Sequence, residues 1–253
     1  MNRKKEYGIS AVILLIGFAV SAWILLYPKA DRIQNKPPPD GSGEEQLTEN
    51  GDEKESENIP SYTVRFCDEE GNTLETQSVK EGESVLPPDY SSDGKVLKRW
   101  DHALFSVLSD ETVCPVTEDI SDNANVFYAD AVYVRSGENV DVKVMLDGKV
   151  DCCDFVLTVR YDNTLLRTKE CRTFSEALSV ADEPESGVLT LTYDGSSLNE
   201  KTEIANICFE KTADGMYASK LVFAAKEIHK RNADGVTEYT DSVAYETNIF
   251  ILR

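Results

Sequence analysis

Two histidines, six cysteines and forty-six carboxylates are the groups in this 253-residue chain that could do chemistry. His102 follows Trp100-Asp101, and His229 sits in the polar stretch Lys226-Glu-Ile-His-Lys-Arg231. Neither lies in a nucleophile motif such as G-x-S-x-G, and no phosphate-cradling glycine loop follows a strand-like run. The carboxylates are abundant enough that counting alone leaves a glycosidase-like pair open. Asp68-Glu69-Glu70 and the Asp151/Asp154 pair lack the alternating spacing of a calcium loop. Catalysis therefore has few parts to work with, and no cofactor is implied.

The cysteines, at 67, 114, 152, 153, 171 and 208, form no C-x-x-C pair and no His-spaced set, so the spacing offers no zinc site. Strand parity places Cys153 on the inward side with Phe155 and sets Cys208 beside the apolar Ile207 and Phe209. Cys67 and Cys114 fall in one module, which leaves their pairing open.

Strand patterning dominates the second half of the chain. In Asp154-Phe-Val-Leu-Thr-Val-Arg-Tyr161, Phe155, Leu157, Val159 and Tyr161 share one side, and Val156, Thr158 and Arg160 the other. That is the period of a half-buried strand. Asp162-Asn-Thr then turns the chain, and Leu165-Leu166 returns it to the core. Upstream, Val140, Val142, Val144 and Leu146 share a face behind the Ser136-Gly137-Glu138 turn; downstream, 187–193, 203–209, 221–225 and 248–252 continue the pattern. Short strands with turn signals over this length predict an antiparallel sandwich or jelly roll.

The Tyr161-Asp162 turn and the valine-rich opening strand resemble the cohesin family over about residues 130–253. The resemblance implies a jelly-roll β-sandwich that holds a partner protein on one sheet face. It further implies that outward residues of the 154–161 strand, here Val156, Thr158 and Arg160, are the partner-binding positions. Val156 stands where many family members carry an aspartate.

Residues 61–129 form an expected separate module. Tyr62 to Cys67 alternates, Asp68 to Gly71 turns, and Leu74 to Val79 returns as a hairpin. This order, with Trp100 near the middle and Val126 to Ala129 at the end, resembles the internalin-type B repeat, a small β-grasp-like unit. Arg99 replaces the glycine that the repeat carries before its tryptophan. Trp100 is expected to anchor a core, with sugar stacking as the lesser alternative.

The N-terminus decides where such modules would sit. Residues 9–27 carry no charge and would span roughly 28 Å as a helix, close to a hydrocarbon core. Arg3, Lys4 and Lys5 precede them, so residues 1–8 are expected in the cytoplasm and everything beyond residue 27 outside. A cleaved signal peptide ending near Val20-Ser-Ala22 is the rival reading. It would leave the apolar Trp23-Ile-Leu-Leu-Tyr27 as a new terminus, so the single-pass anchor is preferred. Residues 28–60, rich in proline, glycine and glutamate, have too little apolar surface to offset ordering and read as a disordered tether of roughly 30 Å.

The formal charge of −20 argues against nucleic-acid binding, which needs a basic surface. The combined expectation is an all-β, non-catalytic cell-surface protein, tethered to the bilayer through 9–27. It would display a cohesin-like module that captures a secreted, dockerin-type protein. A carbohydrate-binding adhesin with a polysaccharide ligand is the alternative, and it would need exposed aromatic rings such as Tyr193 or Tyr217 on one sheet.

Overall fold

The computed structural model describes residues 59–253 except 233 and 236. The expected membrane span 9–27, and all but the last two residues of the tether 28–60, lie outside that range. Among the described residues the only regular elements are strands, and no helix is long and apolar enough to cross a membrane.

The chain opens with β1 (Ser61–Cys67), β2 (Thr73–Lys80), β3 (Lys95–Trp100), β4 (Glu111–Val113) and β5 (Pro115–Asp119). β1 and β2 form the predicted hairpin, while β4 joins β1 on its other side in parallel, giving the order β2-β1-β4. The hairpin turn closes on Asp68, whose carboxylate accepts the Glu70 and Asn72 amides at 3.0 and 2.8 Å. Gly71 supplies the positive φ of 86° that the turn requires. β3 and β5 make a separate antiparallel ribbon.

Val64, Phe66, Val79, Val85, Leu104, Val107 and Val113 gather around Trp100 in one buried cluster. Trp100 meets the rings of Phe66 and Tyr90 edge-on at 5.2 and 5.7 Å and is only 2% exposed. It is a core anchor, with no free ring face for a sugar.

The rest of the described chain supplies β6 (Asn125–Tyr128), β7 (Val132–Arg135), β8 (Val140–Asp147), β9 (Cys152–Arg160), β10 (Leu166–Thr173) and β11 (Leu178–Glu183). It continues with β12 (Val188–Leu198), β13 (Lys201–Lys211), β14 (Tyr217–Arg231), β15 (Thr237–Tyr239), β16 (Ser242–Ala244) and β17 (Thr247–Leu252). One sheet runs β10-β13-β8-β6-β16. The other runs β11-β12-β9-β14-β17-β7, with β15 added to β14. Val140, Val142, Val144, Leu146, Ile207 and Phe209 of the first meet Phe155, Leu157, Val159, Leu189, Leu191, Phe223, Ile249 and Ile251 of the second in one core. The alternation along β8 and β9 follows directly, since each second residue enters the space between the sheets. Full burial of each such side chain stabilises by about 1.5–3 kcal/mol.

One strand lies elsewhere than its sequence position suggests. β6 (Asn125–Tyr128), which takes in most of the Val126–Ala129 run expected to end the 61–129 module, is hydrogen-bonded to β8 and β16 inside the five-stranded sheet. All four residues are buried, because both faces of this strand are covered. Phe127 points into the sandwich core, while Val126 and Tyr128 pack with Val96 and Ile120 of the N-terminal segment.

Candidate functional site

The three outward positions expected to bind a partner lie side by side on β9. Val156 and Thr158 are half-buried and Arg160 is exposed. Register extends them into three rows across four strands. Glu183, Val188, Arg160 and Val222 form the first, Ala181, Thr190, Thr158 and Ala224 the second, and Ser179, Thr192, Val156 and Lys226 the third. Directly opposed residues of antiparallel strands project to the same side, so these twelve side chains make one surface. It is built of threonine, alanine, serine and valine, with no aromatic ring. Its charges are Arg160, Lys226 and Glu183, so in a chain of formal charge −20 this patch is not acidic.

The motif at the end of β9 fixes this surface in place. The Asp162 carboxylate accepts the Thr164 amide at 2.9 Å and its hydroxyl at 2.6 Å, closing the turn that sends Leu166 back to the core. The Tyr161 amide donates to the Gly187 carbonyl at 2.9 Å, joining the turn to the start of β12. Gly187 has φ of +63°, and a Cβ there would collide with the Tyr161 carbonyl oxygen. The Tyr161 ring meets Phe209 edge-on at 5.1 Å, which pins the turn to the opposite sheet.

The far half of the same sheet face is covered. On its outward side β17 and β7 present Asn248, Phe250, Leu252 and Tyr133 to the N-terminal segment. Tyr133 stacks on Phe250 at 4.5 Å, and its hydroxyl accepts the backbone amide of Trp100 at 2.9 Å. Phe105 lies 6.5 Å from Phe250, Asn248 donates to the Lys98 carbonyl at 2.8 Å, and Leu252 joins the Trp100 cluster. Burial pushes the Tyr133 hydroxyl up to about 12. The 61–120 segment thus occupies the β17/β7 half of the face and leaves the β11-β12-β9-β14 half open. Lys220 and Glu246, paired at 2.6 Å, lie between the two halves, and the lysine holds the Glu246 carboxyl below its usual range.

A feature that sequence reasoning did not assemble lies at the rim of the open half. β14 is irregular between Lys226 and His229, where Glu227 takes φ of 51°, and the irregularity brings His229 opposite Asp154. Their side chains form a short hydrogen bond between Nδ1 and Oδ1, and the imidazole packs against Tyr239 with centroids 4.3 Å apart. The one signal for it in the sequence was the departure from alternation after Lys226. Cys153 is adjacent, but its thiol donates to the His229 backbone carbonyl at 3.4 Å rather than to the ring. Burial first, then the Asp154 charge, pushes that thiol up. The trio is therefore not arranged as an activated nucleophile.

Two other expectations resolve here. Cys153 is buried, but Cys152 is the one that joins the sandwich core cluster, at an end of β9 where pairing is irregular on both sides, between Asp194 and Leu198 of β12 and between Lys226 and His229 of β14. Tyr193 is buried with its hydroxyl on the Ser196 carbonyl at 2.8 Å, and Tyr217 faces inward with its hydroxyl on the Leu165 carbonyl at 3.0 Å. Neither tyrosine belongs to an exposed aromatic strip.

No protein-family profile matches the chain. No curated protein matches it either. Among solved structures it is similar to the seventh ScaB type I cohesin from Pseudobacteroides cellulosolvens, at 13% identity and a TM-score of 0.44, over 51% of this chain and 92% of that one. It is similar to a type I cohesin–dockerin complex, Coh-OlpA-Doc918, from Clostridium thermocellum, at 15% identity and a TM-score of 0.43, over 51% and 99%. It is also similar to a non-cellulosomal cohesin from the archaeon Archaeoglobus fulgidus, at 14% identity and a TM-score of 0.40, over 51% and 92%. The two-sheet architecture rests on the strand pairing described above.

Proposed function

We propose that this chain is a non-catalytic recruitment protein that captures a secreted, dockerin-type protein on the open β11-β12-β9-β14 face. The observation that carries the reading is the division of one sheet face: the chain covers one half with its own N-terminal segment and leaves the other open, with an uncharged central row of Ala181, Thr190, Thr158 and Ala224. Rows of small side chains on a rigid sheet give a partner a preorganised surface, which limits the ordering cost of docking. Arg160 and Lys226 outnumber Glu183 among the twelve side chains, so these rows do not repel an acidic partner. In the same reading residues 9–27 anchor the protein in the bilayer and place residue 28 onward outside, in line with Arg3, Lys4 and Lys5 ahead of the apolar run.

The test is capture. Immobilised protein is offered recombinant dockerin modules and the proteins of culture medium, beside a glycan array. Binding of a dockerin-type protein that Thr158→Arg abolishes supports the proposal, and glycan binding without any protein partner rejects it.

A further inference from the structure

We propose that Cys67 and Cys114 form a disulfide that clamps β1 to β4. The parallel register pairs Val64 with Glu111, Arg65 with Thr112 and Phe66 with Val113, and continuing it by one residue brings Cys67, the last residue of β1, level with Cys114, the residue that follows β4. Neighbouring strands lie about 4.8 Å apart, inside the range of Cα separations that a disulfide spans. The Cys114 thiol is pushed up by burial first, then by the Asp101 carboxylate, with the neighbouring Cys67 thiol adding to the rise.

The other four thiols have no such counterpart. Cys152 is in the sandwich core, and Cys153 bonds the His229 carbonyl. Cys171 is paired with Ile207 and packs inward, which turns the neighbouring Cys208 to the opposite face of its sheet.

A clamp at this position would act on a short, locally irregular pairing. β4 is three residues long, it is joined to β1 across 47 positions of sequence, and the β1–β2 register breaks between Phe66 and Cys67 at this same end. A crosslink here closes a loop that contains β2, β3 and Trp100, and long loops gain most from closure in the chain-entropy account.

The step needs a small-molecule disulfide as oxidant. The half-buried Cys114 loses its proton and attacks one sulfur of that disulfide, releasing one thiolate and leaving a mixed disulfide. Cys67 then loses its proton and attacks the Cys114 sulfur, expelling the second thiolate. Two electrons pass to the oxidant, and two protons leave the protein. Because the Cys114 thiol is pushed up, the reaction accelerates as pH rises from 7 to 9.

The test uses the full chain equilibrated with oxidised and reduced glutathione at an oxidising ratio, then denatured, alkylated and peptide-mapped. The expected result is a Cys67–Cys114 linked peptide, with alkylation of four of the six thiols. Dithiothreitol should then lower the thermal midpoint by several degrees in the wild type and leave Cys114→Ala unmoved. Cys114→Ala keeps the buried Cys67, so the comparison survives if Cys67→Ser fails to fold. Six alkylated thiols after oxidation, or a link from Cys67 to any other cysteine, would overturn the proposal.

Discussion

Tyr133 and Trp100 are joined by a bond that fixes the layout of the molecule. The Tyr133 hydroxyl, on the outward face of β7, accepts the Trp100 backbone amide at 2.9 Å while its ring lies on Phe250. Trp100 is the centre of the N-terminal core and Phe250 belongs to the sandwich sheet, so one tyrosine holds the cover to the face that it covers. Tyr133→Phe removes the acceptor and leaves a buried amide unpaired. The expected loss is about 1–3 kcal/mol by urea unfolding, with faster proteolysis at the 120–124 connection.

The same tyrosine gives a pH dependence. Its hydroxyl stays protonated in the folded state up to about 12, whereas the unfolded chain releases the proton near 10. Between those values the folded state binds more protons, so stability falls as pH rises. The contribution is fully present below pH 10, and about 2–3 kcal/mol of it is lost by pH 12. Tyr133→Phe should flatten that limb of the stability profile. An unchanged limb would place the titration elsewhere.

The pairing of β6 changes where the chain can be cut. A fragment of residues 130–253 lacks Phe127 and leaves the β8 edge open, whereas 122–253 keeps both. We expect 122–253 to unfold cooperatively and 130–253 to be unfolded or strongly destabilised by circular dichroism. Phe127→Ala in the full chain should cost about 3–5 kcal/mol.

That strand also marks the limit of the sequence reading. The alternation of Val140 to Leu146 and of Phe155 to Tyr161 was legible because each strand has one buried and one open face. Val126-Phe-Tyr-Ala129 is covered on both faces, so period two disappears and the run carries no mark of the sheet it joins. The parallel pairs β1–β4, β6–β16 and β7–β17 link residues far apart in sequence and leave no local signature. For the same reason the proximity proposed for Cys67 and Cys114 emerges only from register. Of the site, the outward positions of β9 were legible. Their neighbours on β12 and β14, and the Asp154–His229 rim, depend on pairing and on the irregularity at Glu227.

Gly187 offers a local check on the turn that positions β9 against β12. Gly187→Ala places a methyl against the Tyr161 carbonyl at a positive φ. It should destabilise by about 1–3 kcal/mol, whereas Gly137→Ala, with open space around its position, should cost only the backbone strain. Equal effects at the two sites would show that the Tyr161 contact is not the constraint.

Leu157 lies at the centre of the second sheet's inner surface and is fully buried. Leu157→Asp puts an unpaired carboxylate between the sheets and should abolish folding, read as loss of the cooperative thermal transition. Thr158→Ala, one residue along and facing outward, should stay within about 0.5 kcal/mol of the wild type.

The most direct measurement is affinity for a captured dockerin-type protein, determined for the wild type, Thr158→Arg and Arg160→Glu alongside their thermal midpoints. A docking face on β9 predicts at least a tenfold loss of affinity for both variants, with midpoints unchanged, since both side chains point away from the core. Wild-type affinity in both variants would contradict it.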